Sequence, residues 1–307
     1  MNDVVEDTEL EVVHSYLTAM DPAGDRIAKT LRITLDQLYD GQHTGRYRWD
    51  QLFKTEKTHC GTLVEINLQR EFGFEDGDKL DYSIMGHDVD CKYSQSNGGW
   101  MIPNEALGKL CLVVTADDAK ATWSAGVIRA RPEWLTKGGN RDGKVQLSAF
   151  GRRNVRWLGF PEMPLPKNLL LHLPQEDLAA IFSSGSGQQR VNELFRRVTG
   201  VPIWRGVVAT VGRQADYMKR IRYDGGARSA LRPEGIVIFG HKSAHQMIST
   251  RLGLPALASG ESLSARIAKA APGSAWAAQI DGAWWRLATE SDPVVVAPLL
   301  PRVSGAS

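Results

Sequence analysis

Cysteine is scarce in this chain: 307 residues hold three, Cys60, Cys91 and Cys111, with no CxxC pair. That odd number and spacing exclude a disulfide framework and a thiolate zinc ribbon. Long apolar runs are missing as well. GIVIFG and VVVAPLL are the longest near-continuous ones, far short of the roughly 18 residues that span a bilayer. The first residues, MNDVVEDTELE, are acidic where a secretion leader is basic and then apolar. Net charge of either sign is also lacking, with 37 Lys/Arg against 35 Asp/Glu. What remains is 42% hydrophobic and 23% charged, a globular composition with room for two domains. The expectation is a cytoplasmic protein without membrane contact.

The near-neutral total hides an asymmetry. Residues 1–160 carry 20 basic and 24 acidic side chains, and residues 161–307 carry 17 and 11. Between Arg190 and Arg232 ten basic residues face only Glu193, Asp216 and Asp224, a local net of +7. Such a cluster suits a phosphate backbone, though a solvated helical face also carries charge of this kind.

Periodicity places a helix over 8–20, with Leu10, Val13, Tyr16, Leu17 and Met20 on one stripe. A second helix is expected from Asp21 as N-cap and Pro22 as first position, through Ile27, Leu31, Leu35 and Leu38, to a left-handed glycine cap near Gly41. After a loop over 42–46, a helix should cover 61–70. Strands are expected over 79–94, 110–116 and 122–130, and a basic helix over 142–158. Pro161, Pro164 and Pro166 mark a linker over 161–167, where the charge changes sign. Residues 183–189 read as a mobile loop, without the ending of a phosphate loop. Asp281-Gly282 reads as the turn of a hairpin over 275–288. Residues 302–307 should fray, and no internal repeat is present.

The segment 80–94, LDYSIMGHDVDCKYS, carries the chemistry. With Gly86-His87 as a two-residue turn, Met85 pairs with Asp88, Ser83 with Asp90 and Asp81 with Lys92. Strand alternation then puts Asp81, Ser83, Asp90 and Lys92 on one face and Tyr82, Ile84, Val89, Cys91 and Tyr93 on the other, apolar face. A wet sheet face also carries charges, but a strongly apolar reverse side places this hairpin in a core sheet. Glu65, on the preceding helix, is placed to lean over the same spot. The set suits Mg²⁺-assisted phosphodiester hydrolysis. Asp81 and Asp90 are hard oxygen donors, joined by the Cys91 backbone carbonyl, and Glu65 can hold a water or a second ion. Lys92 can orient or deprotonate the attacking water and stabilise charge on phosphorus.

Asp81 followed by Asp90-Cys91-Lys92 resembles the PD-(D/E)xK nuclease signature, with Leu80 where that pattern has proline. The wider sequence resembles the NaeI family of type IIE restriction endonucleases. The resemblance runs through 34–41 (TLDQLYDG), 54–59 (KTEKTH), 61–68 (GTLVEINL), 89–92 (VDCK), 168–172 (NLLLH), 191–198 (VNELFRRV), 225–229 (GGARS) and 231–236 (LRPEGI). It places the family's active-site acids and lysine on Glu65, Asp81, Asp90 and Lys92. It implies an α/β (α+β) nuclease domain over 1–160, with a central mixed sheet flanked by helices. The second domain, 168–307, would be a mainly helical winged helix-turn-helix (CAP-like) module binding a second DNA copy.

Read alone, residues 204–223 fit a helix-turn-helix. Val207, Val208 and Val211 would face inward, Gly212 would turn, and Met218 and Ile221 would anchor a second helix exposing Lys219, Arg220 and Arg222. A packed helical pair fits the periodicity equally, and the family resemblance decides between them. Residues 224–228 and the strand 235–239 would add the wing. Arg213, Lys219, Arg220, Arg222, Arg228 and Arg232 are the expected DNA contacts. The implied activity is Mg²⁺-dependent cutting of both strands at a palindrome, GCCGGC, by a homodimer in a bacterial cytoplasm beside a cognate DNA methyltransferase. A non-cleaving regulator with a dimerising first half is the competing reading. A strand-passing enzyme would need a nucleophile such as Tyr217 or Tyr223.

Overall fold

The computed structural model describes residues 7–139 and 143–301. The expected fraying at 302–307, most of the acidic amino terminus and Asp142 lie outside the described residues. By packing, the chain forms two units: Met1–Tyr39 with Arg48–Leu171, and Asp40–Tyr47 with His172–Ser307. No helix among the described residues is long and apolar enough to cross a membrane.

In the first unit, α1 (Thr8–Met20) begins where Asp7 accepts the Leu10 N–H at 3.2 Å, and it buries Leu10, Val13 and Leu17. Helix α2 (Asp25–Tyr39) starts three residues later than Pro22 suggests. A turn intervenes, and the Asp21 carboxylate reaches across it to the N–H groups of Arg26 and Ile27, at 3.2 and 2.9 Å. Gly24 makes that turn possible: its φ is +75°, and a Cβ there would lie 2.6 Å from the Trp123 ring. At the other end the left-handed residue is Asp40 (φ 47°) and not a glycine. Gly41 opens a short helix, α3 (Gly41–Thr44), in place of the expected loop, and a Cβ on it would strike the Thr210 hydroxyl of the same unit.

Helix α4 (Lys54–Phe72) is longer than expected at both ends. Glu56 accepts the Phe53 N–H at 2.8 Å, and Gly73 caps the far end with φ +68°. Cys60, Val64, Leu68 and Phe72, four residues apart, form its buried stripe.

The strands β1 (Glu75–Asp76), β2 (Tyr82–Ile84), β3 (His87–Ser94), β4 (Leu110–Asp117), β5 (Thr122–Arg129) and β6 (Arg156–Trp157) lie in sequence order, with β7 (Met163–Pro164) also on β5. Only β3 and β4 run parallel, so the sheet is mixed. Helices α1, α2 and α4 cover one face with a core containing Tyr82, Val89, Cys91, Leu112 and Trp123. The other face carries a second cluster around Trp100, Ile102, Cys111, Val113 and Ile128. Being covered on both sides, β4 is a continuous apolar strand.

The expected helix over 142–158 is reduced to α5 (Ala149–Arg153). Val145 and Leu147 form bridges to Ile102 and Leu135 instead, and Arg156-Trp157 joins the sheet. The proline-rich stretch contributes β7, and Leu165, 3% exposed, packs into the first core.

The second unit contains α7 (Gln175–Ser183), α8 (Gly187–Arg197), β8 (Ile203–Trp204), α9 (Arg205–Gly212), α10 (Ala227–Ala230), β9 (Ile236–Gly240), α11 (Ser243–Arg251), β10 (Glu261–Lys269), β11 (Ala277–Ile280) and β12 (Ala283–Leu287); α6 (Leu169–His172) spans the division. Residues 183–189 are not a loop throughout, because Ser186 and Gln189 form a capping box that starts α8. The hairpin at Asp281-Gly282 is as expected, both residues having positive φ and Ile280 pairing with Ala283.

The unit is less helical than expected, since all pairs of its five-stranded sheet are antiparallel and build a core of their own. The helix-turn-helix reading needs correction in its second half. Arg213 (φ 52°), not Gly212, makes the left-handed turn. Beyond it the chain forms a single 3₁₀ turn, Tyr217–Ile221, with Met218 41% exposed. The 235–239 strand belongs to the sheet, pairing with β10.

Candidate active site

The hairpin turns one residue earlier than its glycine suggests. Met85 and Gly86, at φ 53° and 77°, form the turn, so Ile84 pairs with His87, Ser83 with Asp88 and Tyr82 with Val89. Relative to the expected pairing, each β2 residue meets a partner two positions earlier. A slip of two residues preserves the side-chain face, so the expected grouping survives the wrong register. The difference brings Asp81 toward Asp90 instead of Lys92. Asp88, on the same face, is used locally: its carboxylate accepts the N–H groups of Asp78 and Lys79 at 2.7 and 3.2 Å.

Strand β2 pairs with β3 over only three residues, which leaves Cys91 N–H without a strand partner on that edge. The Asp81 carboxylate takes its place, accepting that N–H at 2.7 Å. Lys92 then folds back toward the strand. Its Nζ lies 2.8 Å from Asp90 Oδ2 and 3.5 Å from Asp81 Oδ2, and donates to the Cys91 carbonyl at 2.9 Å. The Asp90 Oδ2 contact is a close ion pair without hydrogen-bond alignment. Glu65 reaches the site from α4, one residue past the buried Val64. Tyr82, fully buried beside Asp81, ties that helix to the hairpin by donating its hydroxyl to the Glu65 backbone carbonyl at 2.7 Å.

Burial pushes the Asp90 carboxyl up to about 6; the Lys92 ammonium opposes this, and the charges of Asp81 and Glu105 add to it. The Glu65 carboxyl is also raised, first by burial and then by Asp81. For Lys92, burial disfavours the charged form, but the Asp90 and Asp81 carboxylates prevail and its pKa is raised. Lys92 therefore stays an ammonium. Cys91 turns its side chain into the core, leaving only its backbone at the site. Sequence reasoning missed Glu105, which stands in the 3₁₀ turn Asn104–Ala106 between β3 and β4. Its influence on Asp90 is tertiary, and no local motif marks it.

The expected DNA contacts fare unevenly. Arg228 donates to the Ile238 carbonyl and lies over the Tyr223 ring, while Arg232 donates to the Ala297 carbonyl. Lys219 and Arg220 both pair with Asp216, at 3.2 and 3.5 Å. Arg213 and Arg222 are exposed and make no ion pair among the described residues. Elsewhere in the basic window, Arg190 bonds the Val211 and Gly212 carbonyls, and Arg196 and Arg197 pair with Glu193, Glu234 and Asp177. Of the two tyrosines named as nucleophiles, Tyr223 uses its hydroxyl to accept the Leu300 N–H at 3.0 Å.

The family described as Restriction endonuclease NaeI matches residues 11–296. Type II restriction enzyme NaeI from Lentzea aerocolonigenes is 50% identical over 305 residues, covering 97% of this chain and 96% of that protein. A match of this extent, with the acids and lysine gathered on one sheet face, places the chain in the NaeI family of restriction endonucleases.

Proposed function

We propose that the first unit hydrolyses phosphodiester bonds in double-stranded DNA with a divalent cation, Mg²⁺, held by Asp81, Asp90 and the Cys91 carbonyl, with Glu65 beside them. The observation that carries this reading is the convergence of those oxygens, from the two arms of the hairpin, on the Lys92 ammonium. The donor set fits the ion: all donors are hard oxygens, the preference of Mg²⁺ over nitrogen or sulfur. Asp90 is nearly buried, with an oxygen that no hydrogen bond satisfies. A bound Mg²⁺ would supply Lewis-acid polarisation of the phosphoryl oxygen and a more acidic water.

The remaining work falls to the chain. Lys92 orients the attacking water and offsets charge on the phosphoryl oxygens. Glu65, half-exposed with a raised pKa, is suited to accept the water's proton. The water oxygen bonds to phosphorus, the P–O bond to the leaving sugar oxygen breaks, and a solvent proton satisfies that oxygen. Tyr82 keeps Glu65 at the distance set by α4.

The finer proposals rest on the family. A homodimer would cut both strands of a palindrome, GCCGGC, in a host whose cognate methyltransferase protects that sequence. The second unit would bind another DNA copy and stimulate cleavage. Exposed Arg213 and Arg222 support a phosphate-binding role for that unit, while the short 3₁₀ turn leaves the winged-helix part of the reading without a recognition helix. Incubating the purified protein with plasmid and Mg²⁺ and sequencing the ends tests the activity and its site. Intact plasmid at every metal concentration would leave the non-cleaving regulator instead.

A further inference from the structure

The oxygens suited to a divalent cation meet at a point where Lys92 places its own charge. Its Nζ is 2.8 Å from Asp90 Oδ2, 2.9 Å from the Cys91 carbonyl and 3.5 Å from Asp81 Oδ2. Side chains normally stand out from a sheet. Here the lysine side chain bends back to bond the carbonyl of the residue before it, and only 23% of it is exposed. A small cation bound by the same oxygens would sit about 2.0–2.1 Å from each. An ammonium this close to all three cannot share that point, since like charges at such a separation repel strongly.

We propose that Lys92 and the divalent cation exchange places: the ammonium holds Asp81, Asp90 and the Cys91 carbonyl together until the cation displaces it. The displaced ammonium is then the group that meets the attacking water and the phosphate. This rests on the metal reading of the proposed function and adds an order of events to it. The lysine is a placeholder that keeps two carboxylates close without mutual repulsion opening the site. It becomes available to substrate only when its place has been taken. The opposed arrangement has Lys92 unmoved and the cation bound elsewhere on the same carboxylates.

Two measurements on the full-length protein without DNA separate these arrangements. In the first, Ca²⁺ is titrated calorimetrically into the wild type and Lys92→Met. Exchange predicts binding about tenfold tighter in the variant, because no ammonium has to leave. Equal or weaker binding overturns the proposal. Removing a positive charge would tighten any nearby cation site, so the second measurement follows the wild-type lysine itself. The rate at which acetic anhydride modifies Lys92 is read by peptide mass spectrometry with and without Ca²⁺, using exposed Lys120 as the internal reference. Exchange predicts a several-fold faster reaction at Lys92 when Ca²⁺ is bound, as the amine leaves its carboxylates. An unchanged or slower rate under saturating Ca²⁺ means the lysine stays, and the proposal fails while the metal site stands. If the double variant Asp81→Asn with Asp90→Asn binds Ca²⁺ as the wild type does, the metal reading itself fails and takes the exchange with it.

Discussion

The two charged regions of this protein differ in what their charges do. On the β2–β3 hairpin, two acids and a lysine gather with a backbone carbonyl, and a third acid lies close by. In the basic window of the second unit, most arginines are committed to their own unit: Arg190 to helix-end carbonyls, Arg196 and Arg197 to Glu193, Glu234 and Asp177, and Arg228 and Arg232 to strand and loop carbonyls. Counting charge in a sequence overstates what is offered to a partner. A face rule is safer, because alternation along a strand leaves a side chain only two directions.

The largest effect expected from this comparison is at Asp90. Asp90→Ala should lower cleavage by about 10²–10³-fold or more, the scale of losing a group that acts on transition-state charge, and leave DNA affinity nearly unchanged. Plasmid cleavage and a filter-binding assay on the same preparation check both halves. A variant that still cuts at the wild-type rate would dissolve the contrast, making the hairpin a charged surface like the rest.

Next in size is the basic window. Replacing Arg213 and Arg222 together by alanine should reduce the salt-dependence slope of DNA binding by up to about two, roughly 0.9 for each phosphate no longer neutralised. Arg228→Ala should leave that slope alone and weaken the fold instead, by about 1–2 kcal/mol, because its side chain is bonded to Ile238 and packed on Tyr223. If Arg228→Ala changes the salt slope and spares the unfolding midpoint, the assignment of internal and external arginines is reversed.

A smaller effect separates the units by pH. His245 is buried, accepts the Gly240 N–H at Nδ1 and therefore carries its proton at Nε2, toward the Pro301 carbonyl. Burial and then the Arg228 charge lower its pKa. A depressed histidine pKa means that the unfolded chain binds the proton first. The stabilisation is complete above the unfolded value of about 6.5 and is lost as pH falls through the folded value. Thermal unfolding from pH 7.5 to 5.5 should fall less steeply in His245→Gln than in the wild type; parallel curves would remove His245 from the account.

The smallest effect is at the hairpin turn. Gly86 has φ +77° and open space around it, so Gly86→Ala should cost about 1 kcal/mol of backbone strain and leave the cleavage rate unchanged. A change in rate there would mean that the turn also positions the acids.

Much of the first unit was legible because its signals are local. The stripe over 8–20, the apolar run of β4 and the alternation through Tyr82, Ile84, Val89 and Cys91 each point one way. Element ends were less legible. Asp21-Pro22 has the chemistry of a helix start, yet Asp21 caps across a turn that exists because Gly24 passes under Trp123. Strand β10 was not picked out in the sequence: it alternates Leu263, Ala265 and Ile267 with Ser262, Ser264 and Arg266. Ser264 is itself buried, bonding the Val198 carbonyl, so neither face reads as solvent.

The sequence by itself determined which residues share the charged face of the hairpin, because the period of two in a strand is a local property and survives a register error of two. It also carried the family relationship, since identity over nearly the whole chain needs no coordinates. Tertiary structure alone decided the pairing at Met85-Gly86, the placement of Glu105 near Asp90, the inclusion of Asp40–Tyr47 in the second unit, and which arginines remain free for a partner. These depend on what lies opposite a residue once distant segments have packed, and a hydrogen bond or ion pair between such segments leaves no mark on the neighbouring sequence.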